Sequence, residues 1–296
     1  MRFLTYERES KNGLGVMNDL GDKVVDLNKL NLSRRFQDMN DLIGSLTDED
    51  LDVIERSLNT EDSTTYDISE IKVLSPIKKT VHDIICVGLN YKKHYEEIKK
   101  DFAPKYEEAK TQTIYFSKRA TETIGPEDEV DSHSAVDKDI DYEAELAVVI
   151  GRKGKNITCD KANDYIFGYT ILNDISARSL QKNHTQWYLG KSVDTFTVLG
   201  PAILHKSRVT VPVELNIKSR VNGEVRQSSN TSQLLKNIPE LISEISRAIT
   251  LEPGDIIATG TPEGVGMGFD PPRYMKSGDI VECEIENIGK LKNYIV

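Results

Sequence analysis

The sequence contains few cysteines, no excess of positive charge and no long apolar run. Its three cysteines, Cys86, Cys159 and Cys283, are too few and too widely spaced for a disulfide framework or a zinc-ligand motif. The 48 acidic residues outnumber the 38 basic ones, and a formal net charge of −10 argues against nucleic-acid or anionic-membrane partners. The N-terminal residues lack a signal-peptide core, and no segment could span a bilayer. These absences predict a soluble, cytoplasmic protein.

What the sequence does contain is a succession of short strand patterns separated by turns. Residues 1–70 combine such strands with a helical pattern over 41–58, which predicts a small N-terminal α/β domain without catalytic residues. Residues 71–296 show more strands than helices and no regular strand–helix alternation, and they predict a β-rich α+β fold. Within them, the charged run 99–112 predicts a mobile surface segment.

The most informative stretch is 139–150, where acidic and apolar residues alternate before the sequence becomes wholly apolar. The pattern predicts a strand that begins at a rim and continues into the core. Side chains two positions apart share a strand face. Four carboxylates would therefore point the same way, those of Asp139, Asp141, Glu143 and Glu145. A cation such as Mg2+ or Mn2+ would relieve their repulsion, and a solvated edge face is the alternative.

A second polar group follows on a helix predicted over 174–182. At helical spacing, Asp174, Arg178 and Gln181 would lie on one face. A carboxylate, a guanidinium and an amide together could contact a metal and an anionic substrate. The alternative is that Asp174 caps the helix and pairs with Arg178.

Three further patterns are candidates for chemistry. His94 and Glu97 lie three residues apart on a predicted helix, where the carboxylate could orient the imidazole as a general base; a surface ion pair is the alternative. Lys191 follows a glycine without the upstream glycines of a phosphate loop, which favours a single positioned cation. The Gly-rich turn at 258–266, with the hydroxyl of Thr261, could hold a carboxylate or could be purely structural.

Together these motifs resemble the fumarylacetoacetate hydrolase family. The resemblance rests on D-Y-E-A-E-L-A-V-V-I-G, Y-T-I-L-N-D-I-S-A-R-S-L-Q, G-K-S-V-D-T-F and G-D-I-I-A-T-G-T-P-E-G-V-G, which occur in the family's order. It implies a mixed β-sandwich roll behind a small N-terminal domain, usually a homodimer, that binds Mg2+ or Mn2+. Within the family, the chain is most similar to the acylpyruvate hydrolase and oxaloacetate decarboxylase branch.

The resemblance also implies roles for the matched residues. The metal ligands would be Glu143, Glu145 and Asp174, whereas Asp139 and Asp141 have no ligand role. A dyad of His94 and Glu97 would activate water, and Lys191 would stabilise an enolate or carbonyl oxygen. The substrate would contact Arg178, Gln181 and Thr261.

The implied reaction is cleavage of a C–C bond in a small anionic 2-oxo acid such as an acylpyruvate. The alternatives are decarboxylation of oxaloacetate, tautomerisation or isomerisation of a 2-oxo acid at the same site, and non-catalytic metabolite binding. Three departures from the family's pattern, at Arg119, Ser179 and Val198, flank the substrate pocket and leave the identity of the substrate open.

Overall fold

The fold is built from two principal β-sheets that share an apolar core. The computed structural model describes residues 1–58, 64–102 and 112–296. In chain order the strands are β1 (Arg2–Arg8), β2 (Lys11–Met17), β3 (Lys23–Asp26), β4 (Thr65–Asp67), β5 (Lys72–Leu74), β6 (Ile84–Gly88), β7 (Ile114–Lys118), β8 (Glu129–Val130), β9 (Ile140–Asp141), β10 (Ala144–Ile150), β11 (Ile166–Asp174), β12 (Ser176–Ala177), β13 (Thr197–His205), β14 (Asn216–Val221), β15 (Glu224–Asn230), β16 (Ile256–Ala258), β17 (Ile280–Ile285) and β18 (Gly289–Ile295). The α-helices are α1 (Met39–Ser45), α2 (Asp48–Ser57), α3 (Lys92–Phe102), α4 (Arg178–Asn183), α5 (Tyr188–Lys191) and α6 (Ile238–Ala248).

The larger sheet has eleven strands in the described part of the chain. Their order is β4-β3-β2-β1-β13-β11-β10-β16-β6-β7, with β5 paired to β1. Neighbouring strands are antiparallel except β16 and β6, which are parallel. A five-stranded sheet has the order β15-β14-β17-β18-β8, and β9 pairs with β12. This architecture confirms the predicted β-rich α+β class.

Strand β10 lies inside the larger sheet and is buried along its whole length. One of its faces, with Leu146 and Val148, belongs to the apolar cluster that includes the five-stranded sheet and α6. The opposite face begins with Glu145 and continues with Ala147 and Val149, which belong to a second cluster together with N-terminal residues. The continuous burial explains why the end of this strand carries no polar residue.

The N-terminal strands join the larger sheet. Phe3 of β1 pairs with Ile203 of β13, and β5 pairs with β1. The sheet is therefore continuous across the boundary predicted at residue 70. The division into residues 1–70 and 71–296 stays a prediction.

The helices differ from the sequence patterns in two places. The helix predicted over 41–58 is two helices, because Thr47 and Asp50 form a capping box that begins α2. In the predicted mobile segment, α3 extends to Phe102, and residues 103–111 lie outside the described part of the chain. No helix among the described residues is long and apolar enough to cross a membrane.

Asp174 is the last residue of a strand and not the first of a helix. Its backbone pairs with Thr197 of β13, and the following β12 pairs with β9. Because these pairings keep the backbone extended, α4 begins only at Arg178. The predicted helix face shared by Asp174, Arg178 and Gln181 is therefore wrong.

Candidate active site

Three buried carboxylates converge where β10 and β11 meet. The register of these two strands pairs Ala144 with Asn173, so that the residues beside this pair come together. One ligand oxygen from each carboxylate lies within 4.8 Å of the others in a cluster formed by Glu143, Glu145 and Asp174. No other cluster of this kind occurs in the described residues.

The single acidic strand predicted over 139–150 is divided, and the four-carboxylate face is wrong. β9 ends at Asp141 and β10 begins at Ala144, so the strand period does not run through the acidic stretch. Asp141 instead accepts a hydrogen bond from Arg178 Nε at 2.9 Å. Asp139 accepts one from Ser179 Oγ at 2.7 Å. Both aspartates thus bind other protein groups and do not belong to the carboxylate cluster.

Buried cations surround two of the three carboxylates. Lys191 Nζ lies 2.7 Å from Glu143 Oε2 and 2.6 Å from Asp174 Oδ2. Lys118 Nζ lies 2.8 Å from Asp174 Oδ1, and Arg178 Nη2 lies 2.7 Å from Glu143 Oε1. The pairing offsets much of the cost of burying these charges.

Glu145 has a different environment. Its Oε2 accepts a hydrogen bond from the Gly260 amide at 2.8 Å, and no lysine or arginine of the described chain forms a salt bridge with it. Burial, together with the charges of Asp174 and Glu143, raises the pKa of Glu145 well above its ordinary value. Burial also acts on Glu143, but Lys191 and Arg178 outweigh it and lower the pKa of Glu143 to about 2.

The donor set fits a hard divalent cation. Mg2+ and Mn2+ prefer carboxylate oxygens, all three carboxylates are buried, and Glu143 and Glu145 line a cavity. A cation among them would supply the positive charge that Glu145 lacks. In this structure, the positive charge between Glu143 and Asp174 is that of Lys191 Nζ, which bridges the two carboxylates.

A narrow cavity opens beside the cluster. Its free volume is about 20 Å³, which is room for about one water molecule. A 2-oxo acid is larger, so its entry requires movement of the lining. The polar lining residues are His94, Glu143, Glu145, Arg178, Gln181, Lys191 and Thr261, and the larger apolar ones are Val87, Leu89, Ile98, Phe116 and Trp187. The structure thus brings seven of the nine predicted site residues to one cavity.

The imidazole and carboxylate predicted as a dyad lie in contact on α3. His94 Nδ1 is 3.2 Å from Glu97 Oε2, and Glu97 Oε1 accepts a hydrogen bond from the Gly264 amide at 2.9 Å. His94 is only 4% exposed, which excludes the alternative of a surface ion pair. The contact with Glu97 fixes the orientation of the ring, with Nδ1 facing the Glu97 carboxylate.

Protein groups already hold the predicted substrate contacts. Arg178 Nη1 donates to Gln181 Oε1 at 2.9 Å. The hydroxyl of Thr261 donates to Ala144 O at 2.9 Å and accepts from Gln227 Nε2 at 2.7 Å. A substrate contact by any of these three residues stays a prediction.

The Gly-rich turn binds carboxylates of the protein itself. The amide of Gly260 donates to Glu145, that of Gly264 to Glu97 and that of Gly266 to Asp141. These three amides are therefore not free to bind an external anion. The turn orients side chains around the cavity.

Sequence analysis missed Lys118. This residue is fully buried, pairs with Asp174 and donates to the backbone oxygens of Ile175 and Lys191. Burial lowers its pKa, against the opposing effect of Asp174. In the sequence this lysine ends the strand pattern T-I-Y-F-S-K, directly before the departure from the family's pattern at Arg119.

A family model and known proteins resemble this chain over most of its length. The family model described as fumarylacetoacetate (FAA) hydrolase C-terminal matches residues 83–296. The curated oxaloacetate tautomerase YisK of Bacillus subtilis is 40% identical over 308 aligned positions that cover 100% of both chains. The mitochondrial oxaloacetate tautomerase Fahd2a of Rattus norvegicus is 44% identical over 77% of this chain and 70% of its own length.

Solved structures share the fold over the whole chain. A fumarylacetoacetate hydrolase from Exiguobacterium antarcticum has a TM-score of 0.83 at 34% identity, covering 100% of this chain and 99% of its own. A maleylpyruvate hydrolase from Sphingobium, solved with manganese(II) and pyruvate, has a TM-score of 0.78 at 28% identity with the same coverage. These matches confirm the fold implied by the sequence motifs. The chain belongs to the fumarylacetoacetate hydrolase family.

Proposed function

We propose that this protein is a divalent-metal-dependent enzyme acting on a small 2-oxo acid, and that keto–enol tautomerisation of oxaloacetate is its first candidate reaction. The observation that carries the proposal is the buried cluster of Glu143, Glu145 and Asp174 beside a cavity that also contains His94 and Lys191. The choice of reaction follows the relatives named oxaloacetate tautomerase, one of which aligns over the full chain.

In this reaction the metal, Lys191 and the pair of His94 and Glu97 would have separate roles. When bound, Mg2+ or Mn2+ would polarise the keto oxygen and the carboxylate of the substrate. Lys191 would place its ammonium group next to the developing enolate oxygen. His94, oriented by Glu97, would carry the proton between C3 and the oxygen. The C3–H bond breaks as the O–H bond of the enol forms, so the carbon skeleton stays intact and no water is consumed.

The second candidate is hydrolysis of an acylpyruvate, the reaction predicted first from the sequence. The contact between His94 and Glu97 favours it, because a carboxylate-oriented imidazole is suited to activating water. Water would add to the acyl carbonyl, and the C–C bond would break to give a carboxylic acid and the enolate of pyruvate. Proton transfer to that enolate would complete the reaction. Decarboxylation of oxaloacetate would use the same enolate stabilisation without water.

The products distinguish the candidates. Purified protein with Mg2+ or Mn2+ is mixed with freshly dissolved enol-oxaloacetate, and the ultraviolet absorbance of the enol and the release of pyruvate are followed together. Tautomerisation accelerates the loss of absorbance without pyruvate, whereas decarboxylation releases pyruvate and CO2. Acetylpyruvate in a parallel assay yields pyruvate and acetate if the enzyme is a hydrolase. Saturable binding of these acids without any turnover would contradict the proposal and support a non-catalytic binding protein.

A homodimer and a cytoplasmic location remain part of the proposal. Sedimentation equilibrium of the purified protein tests the first, with a mass of twice 33.3 kDa as the expected result.

A further inference from the structure

Asp141 is a fully buried carboxylate that lies outside the lining of the cavity. It accepts four hydrogen bonds. Its Oδ1 accepts from the amides of Gly266 at 2.6 Å and Tyr142 at 2.9 Å. Its Oδ2 accepts from the Met267 amide at 3.0 Å and from Arg178 Nε at 2.9 Å. One side chain thus joins the turn at 264–268 to a guanidinium at the edge of the site.

The same turn receives the carboxylate of the dyad. The Gly264 amide donates to Glu97 Oε1 at 2.9 Å. A Cβ atom at Gly268 would lie 2.2 Å from the carboxyl carbon of Glu97, and one at Gly266 would lie 2.6 Å from Asp141 Oδ1. A side chain at either position would have to displace a carboxylate that packs directly on the backbone. The turn is therefore the surface on which Glu97 of α3 docks, and Asp141 accepts hydrogen bonds from the amides of Gly266 and Met267 in the same turn.

Arg178 connects Asp141 to the carboxylate cluster. Three of its nitrogen atoms contact three different side chains: Nε contacts Asp141, Nη1 contacts Gln181 and Nη2 contacts Glu143. Because a guanidinium is planar and rigid, fixing Nε fixes the direction in which Nη2 meets Glu143. The loss of Asp141 would leave this buried cation with one carboxylate partner among the described residues.

We propose that Asp141 is a positioning residue that couples the docking of α3 to the geometry of the carboxylate cluster. Its carboxylate holds the turn that receives Glu97 and, at the same time, the guanidinium that contacts Glu143. The inference rests on the proposed function in assigning catalysis to His94 and the cluster. Asp141 itself touches neither, and it acts through Gly266, Met267 and Arg178.

The test is Asp141→Asn, which keeps the size of the side chain and removes its charge. With Mn2+ and oxaloacetate, we expect kcat to fall on the order of 10- to 100-fold, while the Kd for Mn2+ changes about threefold or less. Hydrogen exchange should accelerate at the amides of Gly266 and Met267 and in the first turns of α3. Asp139→Asn is the matched control, because Asp139 lies two residues away and its carboxylate accepts from Ser179 Oγ, whereas its contact with the Arg178 amide is made by the backbone oxygen, which the substitution keeps. It should change neither kcat nor exchange in α3.

A second variant covers the case in which Asp141→Asn does not fold. In Gly266→Ala the added Cβ would lie 2.6 Å from both Asp141 Oδ1 and the backbone oxygen of Arg273, so the turn must move although the charge remains. The same fall in kcat and the same local exchange are expected. A merely structural role would instead raise exchange throughout the sheet at an unchanged kcat, and that result would overturn the inference. If wild-type protein has no activity on any 2-oxo acid, the proposed function fails, whereas exchange in α3 still decides the role of Asp141.

Discussion

One face of strand β10 has different surroundings at its two ends. At its beginning, Glu145 points to a cluster of buried carboxylates. Two and four residues later, Ala147 and Val149 belong to an apolar cluster that contains Phe3 and Leu42 of the N-terminal segment. The period of the strand is the same throughout, and only the chemistry of the side chains changes.

The difference separates catalysis from stability. Buried charges contribute little net stability even when they are paired, and a carboxylate without a cation partner costs free energy. Apolar contacts at the other end of the strand contribute stability and carry no chemistry. Substitutions in the two regions should therefore have opposite effects on activity and on the free energy of unfolding.

The largest expected effect is that of Glu145→Gln. The amide cannot replace the carboxylate as a metal ligand, so turnover with Mg2+ should fall by about 10³-fold, equivalent to about 4 kcal/mol. In metal-free protein the free energy of unfolding should stay equal or rise, because the pKa of Glu145 is already raised by burial and by its acidic neighbours. Initial rates and urea unfolding check the two halves of this prediction. Glu122→Gln, in a surface ion pair with Lys78, is the control and should change neither quantity. If Glu145→Gln greatly lowered the stability and left the activity unchanged, the assignment of this end of β10 to catalysis would be wrong.

Leu42→Ala should have the opposite profile. Leu42 is fully buried on α1 in the cluster that includes Val149, and its truncation leaves a cavity. The free energy of unfolding should decrease by about 2 to 5 kcal/mol, while kcat of the folded protein stays unchanged. Chemical denaturation and steady-state rates measure the two quantities. Leu20→Ala, at a position that is 86% exposed, should alter neither. A fall in kcat for Leu42→Ala would mean that the two ends of the strand are coupled.

A smaller effect is the pH dependence of folding stability that arises from His205, at the junction between the N-terminal strands and the core. Burial lowers the pKa of His205 to about 4, and its ring packs against Phe3 and Phe167. Between pH 6.5 and about 4 the unfolded chain binds a proton at this position and the folded chain does not. Stability should therefore fall as the pH drops through this window, by about 3 kcal/mol in total.

Replacement of this histidine isolates its contribution. His205→Gln should flatten the dependence of the unfolding free energy on pH in that window, as measured by denaturation at several pH values. His184 is exposed, and His184→Gln should leave the slope as it is in the wild type. Equal slopes in wild type and His205→Gln would contradict the assignment.

The sequence predicted the parts of the site that depend on local pattern. Glu145 stands in an alternating stretch that becomes apolar, and this pattern describes a strand entering a core. His94 and Glu97 are three residues apart on a helix, so their contact follows from helical geometry alone. The class of fold followed from the frequency of strands and from the absence of strand–helix alternation.

The missed features depend on pairings between distant residues. The local pattern places Asp174 on a helix, whereas its extended backbone results from pairing with Thr197 on β13. Lys118 and Asp141 have partners far away in the sequence. Lys118 donates to Ile175, 57 residues later, and Asp141 accepts from Gly266, 125 residues later. No local pattern contains such contacts. The register of β1 on β13, which joins the N-terminal strands to the sheet, is of the same kind.

The most direct test of the central claim is a crystal structure with Mn2+ and oxalate, an analogue of the enolate end of a 2-oxo acid. The account predicts an anomalous scattering peak among Glu143, Glu145 and Asp174, with oxalate beside it and Lys191 no longer bridging two carboxylates. An ion bound elsewhere, or an unchanged bridge from Lys191 to Glu143 and Asp174 at saturating Mn2+, would contradict it.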